Sequence, residues 1–489
     1  MPDHASPVRA LPIGEPSLRP LSPEGLARLH AASLRILAET GVAVGAAGIR
    51  ERLAAAGARV DGDRVRLSAT LVEAALAAAP RAYTLAARDP AWDLPLDGAH
   101  GYLSVDGSAA EILDLDSGLR RPSTEADLAR VTRLADALPE ISFLWQGVEA
   151  GDRPVPVRPL HELRTQLANS GKHVQLMTAV TPLAARGAVE LARAVVGGAD
   201  ALRARPILSS FQVSLSPLQF EGDALEAALV YAAAGVPAGF VVMAIGCATA
   251  PATPAGVLAQ TNAEVLAGVT ILETLAPGSP TFYGACSTTM DLRSGLVACG
   301  GPEDLLYQAA FAQLARHYRL PSSVGTFASG AKSPDWQAGL ENGLSGLMSL
   351  LAGADMLSGA GLLFAARVFA LEEMVLDAEI FGLIRHLAAG LTVNDQTLAV
   401  DVIGEVGPGG NFLAEDHTID HMRGLWQPRL FDRGTWEDWE AGGRKTPRDR
   451  ARDRARSLLA SHVPPPLPDG VGEELDAIVA SFAREAGVG

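Results

Sequence analysis

Apolar positions recur at helical spacing through much of the first hundred residues. A helix is predicted to begin at Ser22, because a serine N-cap, a proline in the first turn and an early acid all favour a helix start. Gly41 is predicted to end it. A second short helix (IRERLAAAG), a hairpin (ARVDGDRVRLS) and a third helix (SATLVEAALAAAP) follow. These patterns predict an α-rich N-terminal layer over residues 21–98, behind a flexible arm of residues 1–20 that contains five prolines.

From about residue 100 the pattern changes to short apolar segments that alternate with longer helical ones. Eight such segments occur between residues 100 and 366: GYLSVDG, ISFLWQGVEA, KHVQLMTAV, PILSSFQVS, AGFVVMAIG, PTFYGACS, SSVGTFASG and ADMLSGAGLLF. Continuous apolar runs are typical of buried parallel strands, and their spacing of roughly 30–45 residues suits βα units. The pattern predicts eight strands, each followed by a helix.

Eight βα units predict an α/β fold, a TIM (β/α)8 barrel over residues 99–400. An open doubly wound sheet is the alternative, but such sheets more often carry GxGxxG after the first strand, and GYLSVDG has no such motif. Residues 401–489 are predicted to form a loop and a helical C-terminal tail. The Arg-Asp run of this tail, GGRKTPRDRARDRARS, is typical of a solvated helix face.

Composition narrows the function classes. The chain has 489 residues, 40 Lys and Arg against 56 Asp and Glu, and a net charge of −16. This acidic balance argues against nucleic acid or an anionic membrane as the main partner. Three cysteines without a CxxC motif indicate a reducing compartment. No secretory signal and no membrane span is expected, and the sequence predicts a cytoplasmic protein.

In a barrel, side chains at the carboxyl ends of the strands face the active site. No two carboxylates stand on neighbouring strand ends, which weakens a glycosidase interpretation. Lys332 lies in a loop, where a salt bridge is at least as good an explanation as catalysis. The strand-end candidates are Tyr102, Asp106, Trp145, Gln146, Glu149, Met177, Thr178, Phe211, Gln212, Met243, Cys247, Tyr283, Cys286, Ser287, Phe327, Ser329, Lys332, Phe364 and Arg367.

Aromatic side chains are concentrated on the predicted strands, although only 5% of the chain is aromatic. Ring faces can cage a quaternary ammonium group, each contributing about 0.5–2 kcal/mol. Packing alone is the competing explanation, because strands favour aromatic residues and barrel interiors are filled.

Cysteines raise the question of a metal. Cys247 and Cys286 are expected to end adjacent strands and could bind zinc, but small buried cysteines on strands are commoner than zinc ligands. His417 and His421 could share a helix face, yet no HExxH motif accompanies them. The sequence therefore assigns no metal site.

Several motifs in order along the chain resemble the trimethylamine methyltransferase family. The likeness covers residues 20 to 480, and its specificity comes from the ordered set. The motifs are GYLSVDGSAAEILDLDSGLRRPSTEADLARVTRLADALPEI, KHVQ, PATPAGVLAQTNAEVLAG, GACSTTMDLRSG with GGPE, AKSPDWQAGLE, EEMVLDAEI, GPGGNFL, DHTIDHMRGLWQPRLFDR and RAR…HVPPPLP.

This resemblance implies a TIM barrel that removes a methyl group from a small methylated amine and passes it to Co(I) of a cobalamin on a separate corrinoid protein. Trimethylamine enzymes of the family carry pyrrolysine in the barrel mouth; this sequence contains none, and the equivalent position is placed near Ser329 to Lys332. The resemblance is therefore to the non-pyrrolysine branch, which includes glycine betaine methyltransferases. A quaternary amine is the expected substrate, since it leaves as a neutral tertiary amine without a general acid.

The resemblance also suggests roles for particular residues, none of which is assigned to catalysis. Arg367 or Lys332 would pair with the carboxylate of a betaine, and Cys286 and Ser329 would face the corrinoid. A homo-oligomer is also expected. The residues expected to cage the methylammonium group are Tyr102, Phe211, Tyr283 and Phe327.

Two other functions remain open from sequence. One is a zinc- or folate-dependent methyltransferase on the same barrel, which Cys247 and Cys286 would support. The other is a non-catalytic protein that binds betaine-like osmolytes. The corrinoid route is the favoured prediction because of the family resemblance.

Overall fold

The computed structural model describes residues 7–488. Eight parallel strands, labelled β1 to β8, pair in chain order, and β8 pairs back onto β1 with Leu357 opposite Leu103. The closed sheet confirms the predicted TIM barrel, so the open-sheet alternative is wrong. Every strand overlaps one of the eight apolar segments. The strands are His100–Val105, Ile141–Leu144, His173–Leu176, Leu208–Val213, Ala238–Val242, Tyr283–Ala285, Ser322–Gly325 and Met356–Ala360.

Eight helices, α1 to α8, follow the strands of the same number and surround the barrel. Their starts carry favoured capping side chains: Thr124 caps α1 in a capping box, Thr181 caps α3 and Asp335 caps α7. The helix starts and the carboxyl ends of the strands share one end of the barrel, which we call the mouth. The helices are Glu125–Ala137, Arg158–Asn169, Pro182–Val196, Gly222–Ala234, Pro254–Leu275, Pro302–Tyr318, Trp336–Ala352 and Leu371–Ala388, with a short extra helix, Ala199–Ala204, after α3.

Side chains on each strand alternate between the barrel interior and the helix layer. On β4, Leu208 packs among residues of the helix layer, so Ser209 and Phe211 point inward. Pairing carries this alternation around the sheet: Phe211 lies opposite Gly239 on β5, and Val241 lies opposite Gly284 on β6. The register therefore decides which strand side chains can reach the mouth.

The N-terminal layer lies against α5. Two of its helices, Pro23–Arg35 and Ala69–Ala78, pack on α5, whose residues are buried on almost every side. Its other elements are the π-helical turn Ile36–Thr40, helix Ala47–Ala55, the 3-10 turn Pro90–Trp92, the hairpin Tyr83–Leu85 with Leu94–Leu96, and a sheet of Val42–Val44, Arg64–Arg66 and Arg59–Asp61. Gln219–Phe220, from the segment between β4 and α4, joins this sheet beside Val42–Val44.

This covering explains the composition of α5. Within residues 7–488, α5 is the one helix long and apolar enough to cross a bilayer, but 78% of its apolar window is buried inside the fold. A helix enclosed by strands on one side and by the N-terminal layer on the other is apolar all round for that reason.

Part of the predicted arm contacts the barrel. Residues 1–6 lie outside the described residues. The short strand Leu11–Pro12 pairs antiparallel with β1, where Leu11 is fully buried opposite Gly101. Ser17 and Leu18 then donate backbone hydrogen bonds to the carbonyl of Leu351.

Small sheets in the loops flank the mouth. One joins the strands Leu362–Leu363, Val368–Ala370, Glu111–Leu113 and Arg120–Pro122, and the other joins Ile245–Gly246, Thr288–Asp291 and Leu296–Val297.

The C-terminal tail is helical, as predicted. Pro447–Ser461 packs on α8 and α1, and Val471–Glu485 packs on α3 and α2. The Arg-Asp run is not wholly solvated, because Arg448 and Arg452 both pair with the buried carboxylate of Glu372. The other elements of the tail are Asp395–Leu398, Val400–Val406, Asp416–His421, the 3-10 turn Met422–Gly424 and Trp436–Ala441.

Candidate functional site

Inward-pointing side chains at the strand ends line the mouth with mostly apolar surface. Alternation places Asp106, Trp145, Met177, Val213, Met243 and Cys286 there, from β1 to β6 in order. Val213 and Met243 are 40% and 45% exposed and form part of the rim. Asp106 is the one carboxylate in this set.

Aromatic rings form the floor of the mouth on one side. The rings of Trp145 and Phe211 lie 4.6 Å apart between centroids, at 50°. The indole N–H of Trp145 donates to the Gln175 side-chain oxygen over 2.6 Å, which fixes the ring. The amide nitrogen of Gln175 has no hydrogen-bond partner among the described residues, and neither does the hydroxyl of Ser104, two positions before Asp106. Unpaired buried polar atoms inside a barrel indicate groups that water or a ligand satisfies.

Asp106 directly follows β1 and points toward Ser358 on β8. Hydrogen bonds with the Ser358 side chain and the Gly107 backbone N–H favour its charged form, but burial outweighs them and raises its pKa to about 7. No Lys, Arg or His in the described residues pairs with it. Asp106 is therefore a carboxyl group poised between its neutral and charged forms, with no cation supplied by the chain.

More carboxylates lie behind the β6 side of the mouth. Asp304, near the start of α6, accepts hydrogen bonds from the Gly300 N–H and the Gln308 side chain, and burial raises its pKa to about 6. Glu341 on α7 accepts from the Ser329 hydroxyl over 2.6 Å and from the Gly330 N–H over 2.9 Å. Asp304 and Glu341 were missed from sequence because they lie on helices, and only the acid in the first turn of α6, within GGPED, could have indicated Asp304.

Both thiols near these carboxylates are held in the neutral form. Burial and the nearby Asp106 charge raise the pKa of Cys286, and burial with Asp304 raises the pKa of Cys299. Cys247 is exposed. Within residues 7–488 no three His, Cys, Asp or Glu side chains are grouped as metal ligands would be. The described residues therefore add no observation in favour of the zinc alternative.

Of the four aromatic residues predicted to cage the substrate, the structure brings only Phe211 to the mouth. Tyr102 points inward near the opposite end of the barrel, where its hydroxyl donates to the Pro95 carbonyl. Tyr283 points outward, donates to the Asn262 side chain on α5 and stacks on Tyr318.

Phe327 also points away from the mouth. Its φ of +50° interrupts the alternation, and its ring lies over Gly346 on α7, where an added Cβ would come within 2.6 Å of it. These three rings therefore do not face the mouth, and Trp145 is the aromatic neighbour of Phe211 there.

Lys332 and Arg367 lie together on the Phe364 ring, beyond the ends of β7 and β8. The Lys332 ammonium is 4.9 Å and the Arg367 guanidinium 5.9 Å from the ring centroid. Lys332 also donates to the Gly330 carbonyl, and Arg367 lies 3.4 Å from Glu111. Two cations on one ring form a positive patch that could receive a carboxylate.

The two residues predicted to face a corrinoid differ in access. Cys286 is partly accessible at the mouth, and it contacts Gly325, where an added Cβ would come within 2.8 Å of the Cys286 Cβ. Ser329 is fully buried, with its hydroxyl bonded to Glu341. The structure therefore leaves Cys286, and not Ser329, open to the mouth.

Comparison with known proteins gives a consistent result. Residues 2–487 match the family described as trimethylamine methyltransferase (MTTB). A trimethylamine methyltransferase of Desulfitobacterium hafniense (strain DSM 10664 / DCB-2) is 35% identical over 96% of this chain and 94% of its own length. The glycine betaine methyltransferase of strain Y51 of that species is 34% identical over 96% of this chain and 98% of its own. The monomethylamine methyltransferase of Methanosarcina barkeri shares the fold, with a TM-score of 0.50 and 13% identity, covering 91% of this chain and 89% of that one.

Proposed function

This chain belongs to the trimethylamine methyltransferase family, and from that membership we propose that it moves a methyl group from a small quaternary amine of the glycine betaine type to a corrinoid on a separate protein. Trimethylamine and glycine betaine enzymes match the chain almost equally well, so similarity alone does not choose between these donors. The chemistry of the mouth favours the quaternary one.

Asp106 is the observation that carries the proposal. A quaternary ammonium has a permanent positive charge, and Asp106 offers a partly buried carboxyl group that has no cationic partner among the described residues and lies beside apolar walls. Bringing the cation into the mouth stabilises the charged form of Asp106, and Asp106 in turn stabilises the desolvated cation. Met177, Met243 and the ring pair Trp145–Phe211 provide contacts for the methyl groups.

The reaction requires little more than orientation and exclusion of water. As the methyl group is transferred, the C–N bond breaks, the electron pair stays on nitrogen, and a neutral tertiary amine leaves without a proton donor. The apolar walls desolvate the substrate and aim one methyl group outward. Because the nitrogen of the product is uncharged as it leaves, its attraction to Asp106 disappears, which favours release.

Exposed apolar side chains of the rim fit a large corrin ring that approaches from outside. Val213, Leu215 and Met243 are each 40–45% exposed at the ends of β4 and β5. They would contact the macrocycle, whose cobalt supplies the methyl acceptor when the partner protein is bound. Cys286 is an accessible group beside these residues, at the end of β6, which pairs with β5.

We assign the positive patch of Lys332 and Arg367 to the carboxylate end of a betaine. Asp106 would face the ammonium end of the zwitterion, and the positive patch would face its carboxylate end. A simple tetraalkylammonium ion could use Asp106 only. We place the reaction in the cytoplasm, since the three cysteines are free thiols.

The test is spectral. Purified protein with reduced corrinoid, free or protein-bound, is challenged with quaternary and tertiary amines, and formation of the methylated corrinoid is followed by absorbance. Conversion with a quaternary amine, slowed about 100-fold in Asp106→Asn at substrate concentrations below KM and retained in Asp304→Asn, supports the proposal. Conversion with trimethylamine alone would contradict the substrate assignment. Tight betaine binding without conversion by any corrinoid would instead identify a binding protein.

A further inference from the structure

One segment of the chain leaves the body of the fold without burying any residue. Residues 389–425, which we call the C-terminal arm, contain three short helices, and every residue is at least partly exposed. Leu391 and Leu413 are 95% and 85% exposed. The other well-exposed apolar residues of the arm are Val393, Leu398, Val400, Ile403, Phe412, Ile419, Met422 and Leu425. So many exposed apolar side chains on one segment indicate a surface that another molecule covers.

A second apolar surface runs along the outside of α7. Trp336, Leu340, Leu344 and Leu351 are spaced by four, four and seven residues, so they share one face of the helix, and all are exposed. A cavity of about 740 Å³ opens beside Trp336 and Leu340 and is lined in part by Leu376, Ile380 and Phe431. We call this surface the α7 face.

Charge distinguishes the two surfaces. From residue 386 to residue 422 the chain has no Lys or Arg, and the arm has carboxylates at Asp395, Asp401, Glu405, Glu415, Asp416 and Asp420. The one charged residue within α7 is Glu341, which is turned toward the Ser329–Gly330 loop. Two arms packed on each other would bring like charges together, whereas an arm on the α7 face would not.

The location of the arm argues against the corrinoid protein as the molecule that covers it. The arm follows the end of α8 at Ala388, and α8 begins at the mouth and runs away from it. Near its end, Arg385 shares a cavity with Glu140, the residue just before β2 begins. The arm therefore starts at the end of the barrel opposite the mouth, where the substrate and the corrinoid would bind.

We propose that the C-terminal arm of one molecule covers the α7 face of a second copy, and that the second copy returns the contact. Both apolar surfaces are exposed in a single chain, so no part of the same chain covers them. The arm is long enough to provide the roughly 20–30 residues a side of a standard interface. The exchange is self-complementary, as a twofold dimer requires.

The first experiment measures molar mass in solution by light scattering. Two variants are compared with the wild type: Leu391→Asp with Leu413→Asp in the arm, and Leu340→Asp with Leu344→Asp on the α7 face. Val463→Asp, at a site 84% exposed outside both surfaces, is the matched control. We expect the wild type and the control to form dimers or multiples of dimers, and each double variant to dissociate at least tenfold more readily. A monomeric wild type overturns the proposal.

Mixing the two double variants tests which surfaces meet. The arm variant keeps an intact α7 face, and the α7-face variant keeps an intact arm, so a mixture restores one of the two contacts. We expect the mixture to form dimers that contain one molecule of each variant, at concentrations where each variant alone is monomeric. Absence of mixed dimers overturns the arm-to-α7 contact. Far-ultraviolet circular dichroism and unfolding temperature confirm that each variant is folded, and an unfolded variant is replaced by the single substitution Leu391→Asp or Leu344→Asp.

Discussion

Two charged groups, Lys172 at one end of the barrel and Asp106 at the other, differ in how far the chain supplies their partners. At the end away from the mouth, the fully buried Lys172 donates to the carbonyls of Ala135, Leu138 and Ile141 over 2.7–2.8 Å, with the Trp92 ring 4.2 Å away. Nearby, Asp136 accepts from the Ser170 hydroxyl, the Gly171 N–H and His462. Every donor of the Lys172 ammonium has a partner from the chain itself.

At the mouth the chain leaves its charged group incomplete. Asp106 has no cationic partner among the described residues, and the Ser104 hydroxyl and the Gln175 amide nitrogen below it have no hydrogen-bond partner among them. The difference separates a charged group that the chain itself satisfies from one that the chain leaves open. A complete set of partners indicates a structural role, whereas a missing partner in an accessible mouth indicates a place for substrate.

The largest expected effect is on stability, at the end away from the mouth. Lys172→Met leaves three buried carbonyls without a donor, and we expect it to lower the free energy of unfolding by about 3–5 kcal/mol. Denaturant unfolding followed by circular dichroism measures the change. Lys445→Met, at an exposed lysine paired with Asp453, is the control and should leave the unfolding midpoint unchanged. An unchanged midpoint in Lys172→Met would break the contrast between the two ends.

At the mouth the effect should appear in catalysis instead. Asp106→Asn removes the partner of the ammonium ion, and we expect kcat/KM to fall about 100-fold, which is about 2.7 kcal/mol, mostly through KM. The Asp304 carboxylate already has partners from the chain, so Asp304→Asn should lower kcat/KM less than tenfold.

Stability distinguishes Asp106 from a structural residue. The folded-state pKa of Asp106 is raised from 3.8 to about 7, so ionisation destabilises the fold increasingly as pH rises from about 4 to 7. At pH 8, Asp106→Asn should therefore unfold at the same temperature as the wild type or a higher one. A lower unfolding temperature in the variant would place Asp106 in the same class as Lys172.

Binding of the cation should depend on pH with a predictable sign. Below pH 7 Asp106 is protonated and must lose its proton to pair with the ammonium, so affinity should fall by up to tenfold for each unit below the pKa. Calorimetry with tetramethylammonium, in buffers of different ionisation enthalpy, should show release of nearly one proton at pH 6 and almost none at pH 8.5. Asp106→Asn should remove both effects; if it retains them, another group is responsible.

The fold was predictable from sequence because its signals are local. Eight apolar runs and the helical segments between them indicated the strands and helices, and the hairpin within ARVDGDRVRLS formed where the residues predicted it. The positions of Tyr283 and Phe327 could not be predicted in this way. Whether a strand residue points inward depends on the register of its neighbours, and a single positive φ at Phe327 reverses the alternation.

The candidate site was predicted only in part for the same reason. Asp106, Trp145 and Phe211 are strand-end residues, so the barrel rule found them, but nothing in the sequence separated them from Tyr102, which lies four positions earlier than Asp106 on the same face of β1. Asp304 and Glu341 approach from helices whose starts meet at the mouth. Residues from different βα units meet at the mouth only in the folded protein, so their spacing along the chain shows no pattern.

The smallest effects should come from the aromatic rings. Substitutions at the mouth should change KM, whereas a substitution behind the barrel wall should not. A ring face next to an ammonium ion contributes about 0.5–2 kcal/mol, so Trp145→Leu and Phe211→Leu should each raise the KM for the quaternary amine roughly 2- to 30-fold. Tyr283→Phe loses only a hydrogen bond to Asn262 behind the barrel wall, and it should leave KM within about twofold.

An uncharged analogue separates attraction to the cation from simple packing. A tert-butyl compound has the shape of the trimethylammonium group without its charge, so as an inhibitor it should lose less affinity than the cation when Trp145 or Phe211 becomes leucine. Equal losses for both ligands would mean that the rings only fill space, as the rings of Tyr102 and Phe327 do elsewhere in the barrel. Recognition of the cation would then rest on Asp106 alone.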